Sequence, residues 1–316
     1  MVRRMGFVLA SILCLAVASC NSLFDSYFPE NVEYLDTQTN ISSALGGSPV
    51  VQMLMGYLPA TTVHSSDILV VVAATQDGGS HVLFYDPSNL SLRKSYSDSD
   101  FKNQNGGTVP ALFLIGQDGG GIYTGVIPYD PQSLAIGTAL NFTNNTNNFI
   151  TFRETYDGTS AVLSGPNSGV GVWQDSSFSN IGNTSIGTLA GLPTSSNLNL
   201  LDLSFRAGTY YFVVSSGSTV YLASGQNLPT VSVANVNVSG SNSVQGWASS
   251  SAAVVLNQTD NSNLLTAYSW SGASLASLHL PKTDQQNITL ALKPDGSSWY
   301  LFDSSTGKLS RNRPWW

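Results

Sequence analysis

Apolar and polar residues alternate in short bursts along this chain, and after the first twenty residues they almost nowhere recur at helical spacing. Short runs of β-branched, aromatic and aliphatic residues are bounded by Gly, Asp, Asn, Ser and Pro, which predicts strands joined by tight turns. Ile68–Ala74 is one such run. The turn Gln76-Asp77-Gly78-Gly79 follows, then a strand His81–Tyr85, the turn Asp86-Pro87-Ser88-Asn89 and a strand from Leu90. The series resumes at Ala111–Gly116, with the turn Gln117-Asp118-Gly119-Gly120, a strand to Tyr129, the turn Asp130-Pro131-Gln132-Ser133 and a strand from Leu134. Gly accepts positive φ and Pro after Asp presets the second turn position, so both turns have a physical cause.

The series repeats more faintly further on. Ser160–Ser164, Thr209–Val214, Ala252–Leu256 and Ser298–Phe302 read as equivalent second strands, so the units start at 68, 111, 160, 209, 252 and 298, spaced 43, 49, 49, 43 and 46 residues apart. Pro49–Met55, Asn148–Glu154, Asn197–Ser204, Val244–Ala248 and Asn287–Leu292 precede them as innermost strands. No convincing innermost strand stands out for the second unit in Phe101–Thr108. Units of this length hold four short strands each, and such units in radial array make a β-propeller. The fold class is therefore all-β, a β-propeller with six blades favoured and seven as the alternative count; a β-sandwich pair or a β-solenoid is the rival architecture. The last unit lacks a fourth strand. Val32–Asp36 is expected to supply it from the N-terminal side and close the ring, because an open ring would leave a long unpaired edge.

The last unit runs Leu290-Ala291-Leu292-Lys293-Pro294-Asp295-Gly296-Ser297-Ser298-Trp299-Tyr300-Leu301-Phe302-Asp303, then Thr306-Gly307-Lys308-Leu309. It resembles a blade of the bacterial YVTN-type and TolB-type propellers, in which a Pro-Asp-Gly turn separates two strands and a Thr-Gly-Lys-Leu-like turn follows. The resemblance covers this one blade; the other units lack Pro-Asp-Gly.

The chain opens differently. Arg3 and Arg4 precede a short apolar stretch from Phe7, and Leu13-Cys14-Leu15-Ala16-Val17-Ala18-Ser19-Cys20 ends it. A basic start, a short apolar core and small residues before a cut describe a secretory signal, and the apolar stretch is about half the ~20 residues of a spanning helix. Val17-Ala18-Ser19-Cys20 resembles the lipobox of bacterial lipoproteins. That resemblance implies cleavage before Cys20, lipid (palmitate-type acyl chains) on Cys20, and attachment in the cell envelope; Asn21 in place of Asp points to the outer membrane. The expected organisation is a signal peptide over 1–19, a lipid-anchored segment with the ring-closing strand over 20–47, and the propeller over 48–316.

Without the signal, 297 residues remain, carrying ten basic and nineteen acidic side chains for a net charge of −9. That balance excludes a nucleic-acid partner, because phosphate neutralisation needs clustered Lys and Arg. Charged residues make up 10% of the chain, and Ser, Thr, Asn and Gly solvate the surface instead. Cys14 leaves with the signal and Cys20 is the anchor, so the mature chain has no internal disulfide.

Candidate chemistry is sparse. No Gly-x-Ser-x-Gly elbow occurs, His64, His81 and His279 are widely spaced and outside any metal motif, and nothing in the sequence calls for a cofactor. Glu30, Glu33 and Glu154 are the only glutamates. Asp86, Asp130 and Asp295 read as turn caps. Asp77 and Asp118 keep the Asp-x-Gly centre of the Asp-box turn of sialidase propellers, but Val82 replaces the expected aromatic in the first and Gly116 replaces Ser or Thr in the second; a true Asp box is in any case a folding element. Asp98-Ser99-Asp100 begins like a calcium loop, which Lys102 and Asn103 then spoil. Propeller ligands meet the faces built from turns, so Asp77, Asp118 and Asp260, in second-to-third strand turns, are the candidate binding face. The expected function is a non-enzymatic envelope lipoprotein offering a binding or scaffolding surface to protein or glycan. The alternatives are an envelope glycan hydrolase on the same fold, which needs two carboxylates across a cleft, and a purely structural lipoprotein. The packing of the terminal Trp315-Trp316 is left open by sequence.

Overall fold

The computed structural model describes residues 34–316, apart from 61–65, 78, 98–110, 119–120, 129–132, 136–139, 142–148, 155–159, 165–170, 175–183, 186–188, 194–197, 228–229, 239–242, 259–262 and 281–286; its strands between 111 and 185 are described by their backbone. The strands form five four-stranded sheets and one three-stranded sheet, each an antiparallel meander. The first sheet holds β2 (Val50–Leu58), β3 (Ile68–Thr75), β4 (Ser80–Tyr85) and β5 (Leu92–Ser97). The second holds β6 (Ala111–Asp118), β7 (Gly121–Pro128) and β8 (Leu140–Asn141). The third holds β9 (Phe149–Glu154), β10 (Ser160–Ser164), β11 (Gly171–Gln174) and β12 (Thr184–Ser185). The next two are β13 (Asn199–Arg206) to β16 (Ser232–Asn237), with β14 (Thr209–Ser216) and β15 (Thr219–Gly225) between, and β17 (Ser243–Ala248) to β20 (Ser274–Leu280), with β18 (Ala253–Gln258) and β19 (Asn263–Tyr268) between. The last holds β21 (Ile288–Leu292), β22 (Trp299–Asp303), β23 (Lys308–Asn312) and, from the other end of the chain, β1 (Leu35–Asn40).

This is a β-propeller. First strands touch in succession: β2 meets β21, β21 meets β17, β17 meets β13, β13 meets β9 and β9 meets β2, while β6 packs mainly on β3 and β4. Side chains are described for four of the sheets, and there the apolar cores lie between neighbouring sheets. One core joins Met53, Met55, Tyr57, Leu69, Val71 and Leu83 of the first sheet to Ala291, Tyr300, Phe302 and Leu309 of the last. Others join the last sheet to β17–β20 and that sheet to β13–β16. In the first sheet both faces of β3 are covered, which is why it reads Ile-Leu-Val-Val-Val-Ala-Ala with every residue buried instead of alternating.

Two features draw adjacent sheets together. Gly246 in β17 faces Val213 and Leu201; a Cβ there would stand 2.6 Å from Val213 Cγ1, so the close approach requires glycine. Asp202, fully buried at a bulge of β13, accepts a hydrogen bond from the Ala248 N–H of β17 at 2.8 Å.

The innermost strands expected from sequence are present with ends shifted by no more than three residues. The ring-closing strand is displaced further: it runs Leu35–Asn40, where Val32–Asp36 was expected, and pairs antiparallel with β23 from Leu35↔Asn312 to Asn40↔Lys308. Its burial alternates residue by residue, so backbone pairing with β23, and not an apolar run, defines its limits. The stretch 101–108, expected to hold an innermost strand, lies outside the described residues. The match of the second unit to the first survives in one detail. Leu90 and Leu134, each four residues after the Asp of an Asp-Pro turn, both adopt φ 57°, a left-handed conformation rare for a branched side chain.

The segment entering β1 and the C-terminal segment are pinned side by side. Arg313 N–H donates to Tyr34 O at 2.7 Å, and Trp299 Nε1 donates to Arg313 O at 2.8 Å. Trp315 lies edge-on to both Trp299 and Trp316, at 5.0 and 4.6 Å between ring centroids.

Replacing Asp202 with Ala strands the Ala248 N–H in a dry interface, and the expected loss of unfolding free energy is about 1–3 kcal/mol in urea denaturation. Asp202→Asn keeps an acceptor oxygen and is expected to lose less; an Ala variant as stable as the parent would contradict the assignment.

Candidate functional site

Every meander has two rims. Rim A carries the turns from first to second and from third to fourth strand; rim B carries the turns from second to third strand and the connections between sheets. A cavity of about 250 Å³ opens on rim A, at the seam between the first and last sheets, with Tyr57, Asp67, Asp86, Ser88, Lys293, Ser298, Tyr300 and Arg311 among its walls.

Strand ends place the two tyrosines. Tyr57 is near the end of β2 and Tyr300 near the start of β22, both 2% exposed, with ring centroids 5.5 Å apart across the seam. Their faces are used on one another and on the core, so only the hydroxyls serve the cavity. Tyr57 OH donates to Asp67 Oδ2 at 2.5 Å, and Ala60 N–H donates to Asp67 Oδ1 at 2.7 Å. Tyr300 OH donates to Pro87 O at 3.1 Å, and Arg311 Nη1 donates to Ser88 O at 2.7 Å. Two residues of the last sheet thus hold the Asp86-Pro87-Ser88 turn of the first.

Burial pushes the Tyr57 hydroxyl far above its ordinary value, and the hydrogen bond to Asp67 pushes it further. Burial likewise raises Tyr300, against the pull of the Arg311 charge. Both stay protonated donors throughout the physiological range. The turn aspartates go the other way. The Ser88 hydroxyl holds the Asp86 carboxyl below the usual carboxylate range, against a smaller burial cost. Burial pushes Asp295 up, but the Ser297 hydroxyl and amide, Lys293 and Arg206 together outweigh it and hold it low. Asp295 accepts ion pairs from Arg206 at 3.3 Å and Lys293 at 3.4 Å. Arg206 ends β13, so this pair ties a third sheet into the same rim.

The arrangement is a braced set of hydroxyls, carboxylates and cations of nearly balanced charge. It can hydrogen-bond a small polar group. The cavity walls contain no His or Cys, and among the described residues no group of three or more His, Cys, Asp or Glu side chains is placed to hold a metal ion.

The residues singled out by sequence lie elsewhere. Asp77 sits on rim B in the β3–β4 turn, where Oδ1 accepts from Thr75 Oγ1 at 2.6 Å and Gly79 N–H at 3.3 Å, and Oδ2 accepts from Ser48 Oγ at 2.8 Å. Its carboxylate braces the turn against the β1–β2 connection. Asp118 ends β6, paired with Gly121, in the turn the repeat matches to that of Asp77; its side chain lies outside the described residues. Asp260, in the connection from β18 to β19, and Cys20, with everything before residue 34, also lie outside them. Asp86 and Asp295 cap their own turns as expected: each carboxylate accepts from the backbone N–H two residues on. Sequence reasoning missed Tyr57, Asp67, Tyr300 and Arg311. The signals were a tyrosine near the end of one apolar strand and near the start of another, and an Asp just before β3, but nothing local says that positions 57 and 300 meet.

No family model matches this chain, and no curated protein matches it. Solved structures do. TolB from Acinetobacter baumannii aligns at 15% identity and TM-score 0.47 over 74% of this chain and 55% of its own. The SapL1 lectin in complex with alpha methyl fucoside aligns at 14% identity and TM-score 0.47 over 81% and 90%, and the Neurospora crassa Pan2 WD40 domain at 8% identity and TM-score 0.42 over 89% and 98%. The chain thus spans little more than half the length of the TolB structure, and its propeller assignment stands on its own sheet order and contacts.

Hydrogen bonds from Thr75 first, then Ser48, hold the Asp77 carboxyl at about 2, below the ordinary 3.8. A carboxyl lowered in the fold contributes fully above its unfolded value and fades as pH falls through its folded one. The expected result is an Asp77 titration midpoint near 2 by carboxyl NMR, moved back toward the ordinary value by Thr75→Ala and by less in Ser48→Ala.

Proposed function

We propose that this chain is a non-enzymatic, lipid-anchored protein of the cell envelope, most simply the outer membrane, that presents a six-bladed propeller as a binding or scaffolding surface for protein or glycan. The anchor reading rests on Val17-Ala18-Ser19-Cys20. The blade count rests on the six sheets in chain order, with β1 completing the last one.

The observation that carries the binding role is the cavity on rim A. Its walls are a polar network, whereas the clusters packed between the neighbouring described sheets are apolar. At about 250 Å³ it is smaller than the ~300–1,000 Å³ typical of sites for drug-sized ligands. It suits one sugar ring, or one side chain of a larger partner, held by hydrogen bonds and not by stacking, since the tyrosine faces are already covered. Binding is favoured over turnover because Asp67 and Asp86, the two carboxylates of the walls, are both committed to local donors.

Glycan and peptide arrays probed with the purified mature protein identify the ligand class. Lys293→Ala is expected to weaken the best hit about tenfold, the loss of one charge-assisted hydrogen bond, with the unfolding midpoint close to the parent's; Asp67→Asn is expected to weaken it as much and also to lower the unfolding midpoint, because Tyr57 OH and Ala60 N–H share its carboxylate. Unchanged affinity in both, or turnover of a glycoside, would reject the reading. Radiolabelled fatty acid is expected to enter the parent and not Cys20→Ala.

A further inference from the structure

We infer that the seam cavity takes a neutral polyhydroxyl group, a single uncharged sugar residue, and selects against anionic and cationic groups of the same size. The inference rests on the binding role proposed above and narrows it to one ligand chemistry, which follows from what the walls have left to offer. Three of the wall hydroxyls direct their protons into the protein. Tyr57 OH donates to Asp67 Oδ2 and Tyr300 OH to Pro87 O, and Ser88 Oγ donates to Asp86 Oδ1. The amides of Ala60 and Ser88 are spent on the same two carboxylates. A hydroxyl that has given its proton keeps its lone pairs, and a carboxylate offers about four. Asp67 takes one bond on each oxygen, and both bonds to Asp86 fall on Oδ1. About half of the accepting capacity of the two carboxylates is therefore left for a ligand that donates.

The walls also carry two cationic donors, Lys293 and Arg311. An anion gains little from them. Lys293 already stands 3.4 Å from Asp295, and Arg311 Nε lies 3.9 Å from Asp36. A phosphate, sulfate or carboxylate would also face Asp67 and Asp86, the latter held ionised by the Ser88 hydroxyl. An ammonium group meets the opposite misfit. It donates to the carboxylates, but it gives Lys293 and Arg311 no acceptor and sets a like charge beside them. A hydroxyl donates and accepts at once. Neighbouring hydroxyls on one ring give protons to Asp67 and Asp86 and take bonds from Lys293 and Arg311, and they bring no net charge into the seam.

Volume and shape set the rest. About 250 Å³ admits one ring and leaves the remainder of a glycan outside. The rings of Tyr57 and Tyr300 are turned to one another and to the core, so these two walls offer no face for stacking. Selection falls on directed hydrogen bonds to the hydroxyls. Because the ligand is uncharged, its affinity is insensitive to salt.

The probes are methyl glucoside, methyl galactoside and methyl mannoside, each with its uronic-acid and its 2-amino counterpart, titrated by ligand-detected NMR into the purified full chain in detergent. The expected result is that at least one neutral glycoside binds about tenfold or more tighter than both of its charged counterparts, the loss of one well-made polar contact. Its dissociation constant is expected to stay the same between ~0.05 and ~0.5 M salt. Lys293→Met keeps the apolar stem and removes the donor. It is expected to weaken the neutral glycoside about tenfold and the 2-amino counterpart by less, since a like charge has gone, so the preference between them narrows. A uronate or an amine that binds tighter than its neutral parent, or a preference that Lys293→Met leaves untouched, overturns the neutral-polyol assignment while the cavity remains a binding site. Binding by none of the nine overturns it as well. The arrays then decide the broader role separately: a peptide hit weakened by Lys293→Ala keeps it, and the absence of any hit ends it.

Discussion

The structure hangs on one backbone ladder, the antiparallel pairing of β1 with β23. A meander of sheets laid side by side has two exposed ends, and each would bury apolar surface on one side only. Joining the N-terminal strand to the last sheet makes residues near the start of the chain part of the same sheet as residues near its end, so the last sheet can be held against the first. The core that contains Met55, Tyr57, Val71, Tyr300 and Phe302 exists only because of that closure. The ladder is also economical in side chains. β1 is Leu-Asp-Thr-Gln-Thr-Asn, with little apolar surface to contribute, and its hold comes from main-chain hydrogen bonds together with Asp36 and its two arginines.

The cavity is a consequence of the same closure. Its walls come from positions 57–88 and 293–311, and the polar network across the seam, Tyr300 to Pro87 and Arg311 to Ser88, fastens one sheet to the other. Elsewhere among the described residues neighbouring sheets meet mainly through apolar side chains, aromatic as well as aliphatic, with a close glycine at Gly246 and a single buried carboxylate at Asp202. At the seam, rim A substitutes directed hydrogen bonds for packing. Directed bonds leave space between them, and space lined by satisfied but accessible polar groups is what a polar ligand needs.

How much of this was written in the sequence follows from the range of the determinants. The strands of the first and last sheets were legible because turn chemistry is local: Asp-Pro, Asp-Gly-Gly and Pro-Asp-Gly constrain the backbone wherever they stand, and β3 and β22 begin at or within a residue of where those turns put them. The closing strand was legible as a need and not as a segment. An unpaired edge had to be filled, but Val32-Glu33-Tyr34-Leu35 looked more strand-like than the polar Asp36-Thr37-Gln38-Thr39, whose extended form is imposed by β23. The seam site was not legible, because Tyr57 and Tyr300 are brought together by closure over nearly the whole ring. Asp77 stood out because its turn is conspicuous, and conspicuous turn residues serve the turn: its carboxylate is spent on Thr75, Gly79 and Ser48.

Arg311 shows how recognition and stability become linked here. Its backbone belongs to β23 and pairs with Thr37 of the closing strand; its guanidinium stands close to Asp36 and donates to Ser88 of the first sheet. On the proposed binding role, a ligand seated in the cavity would contact this residue together with Asp67 and Ser88, and so touch both sides of the seam. It would bind the closed ring and have no complete site on an open one. By mass action such a ligand stabilises closure in proportion to the logarithm of its concentration over its dissociation constant, and loss of the β1–β23 ladder removes the site before it removes the sheets. Local opening of the ring and ligand release are therefore one equilibrium viewed from two sides.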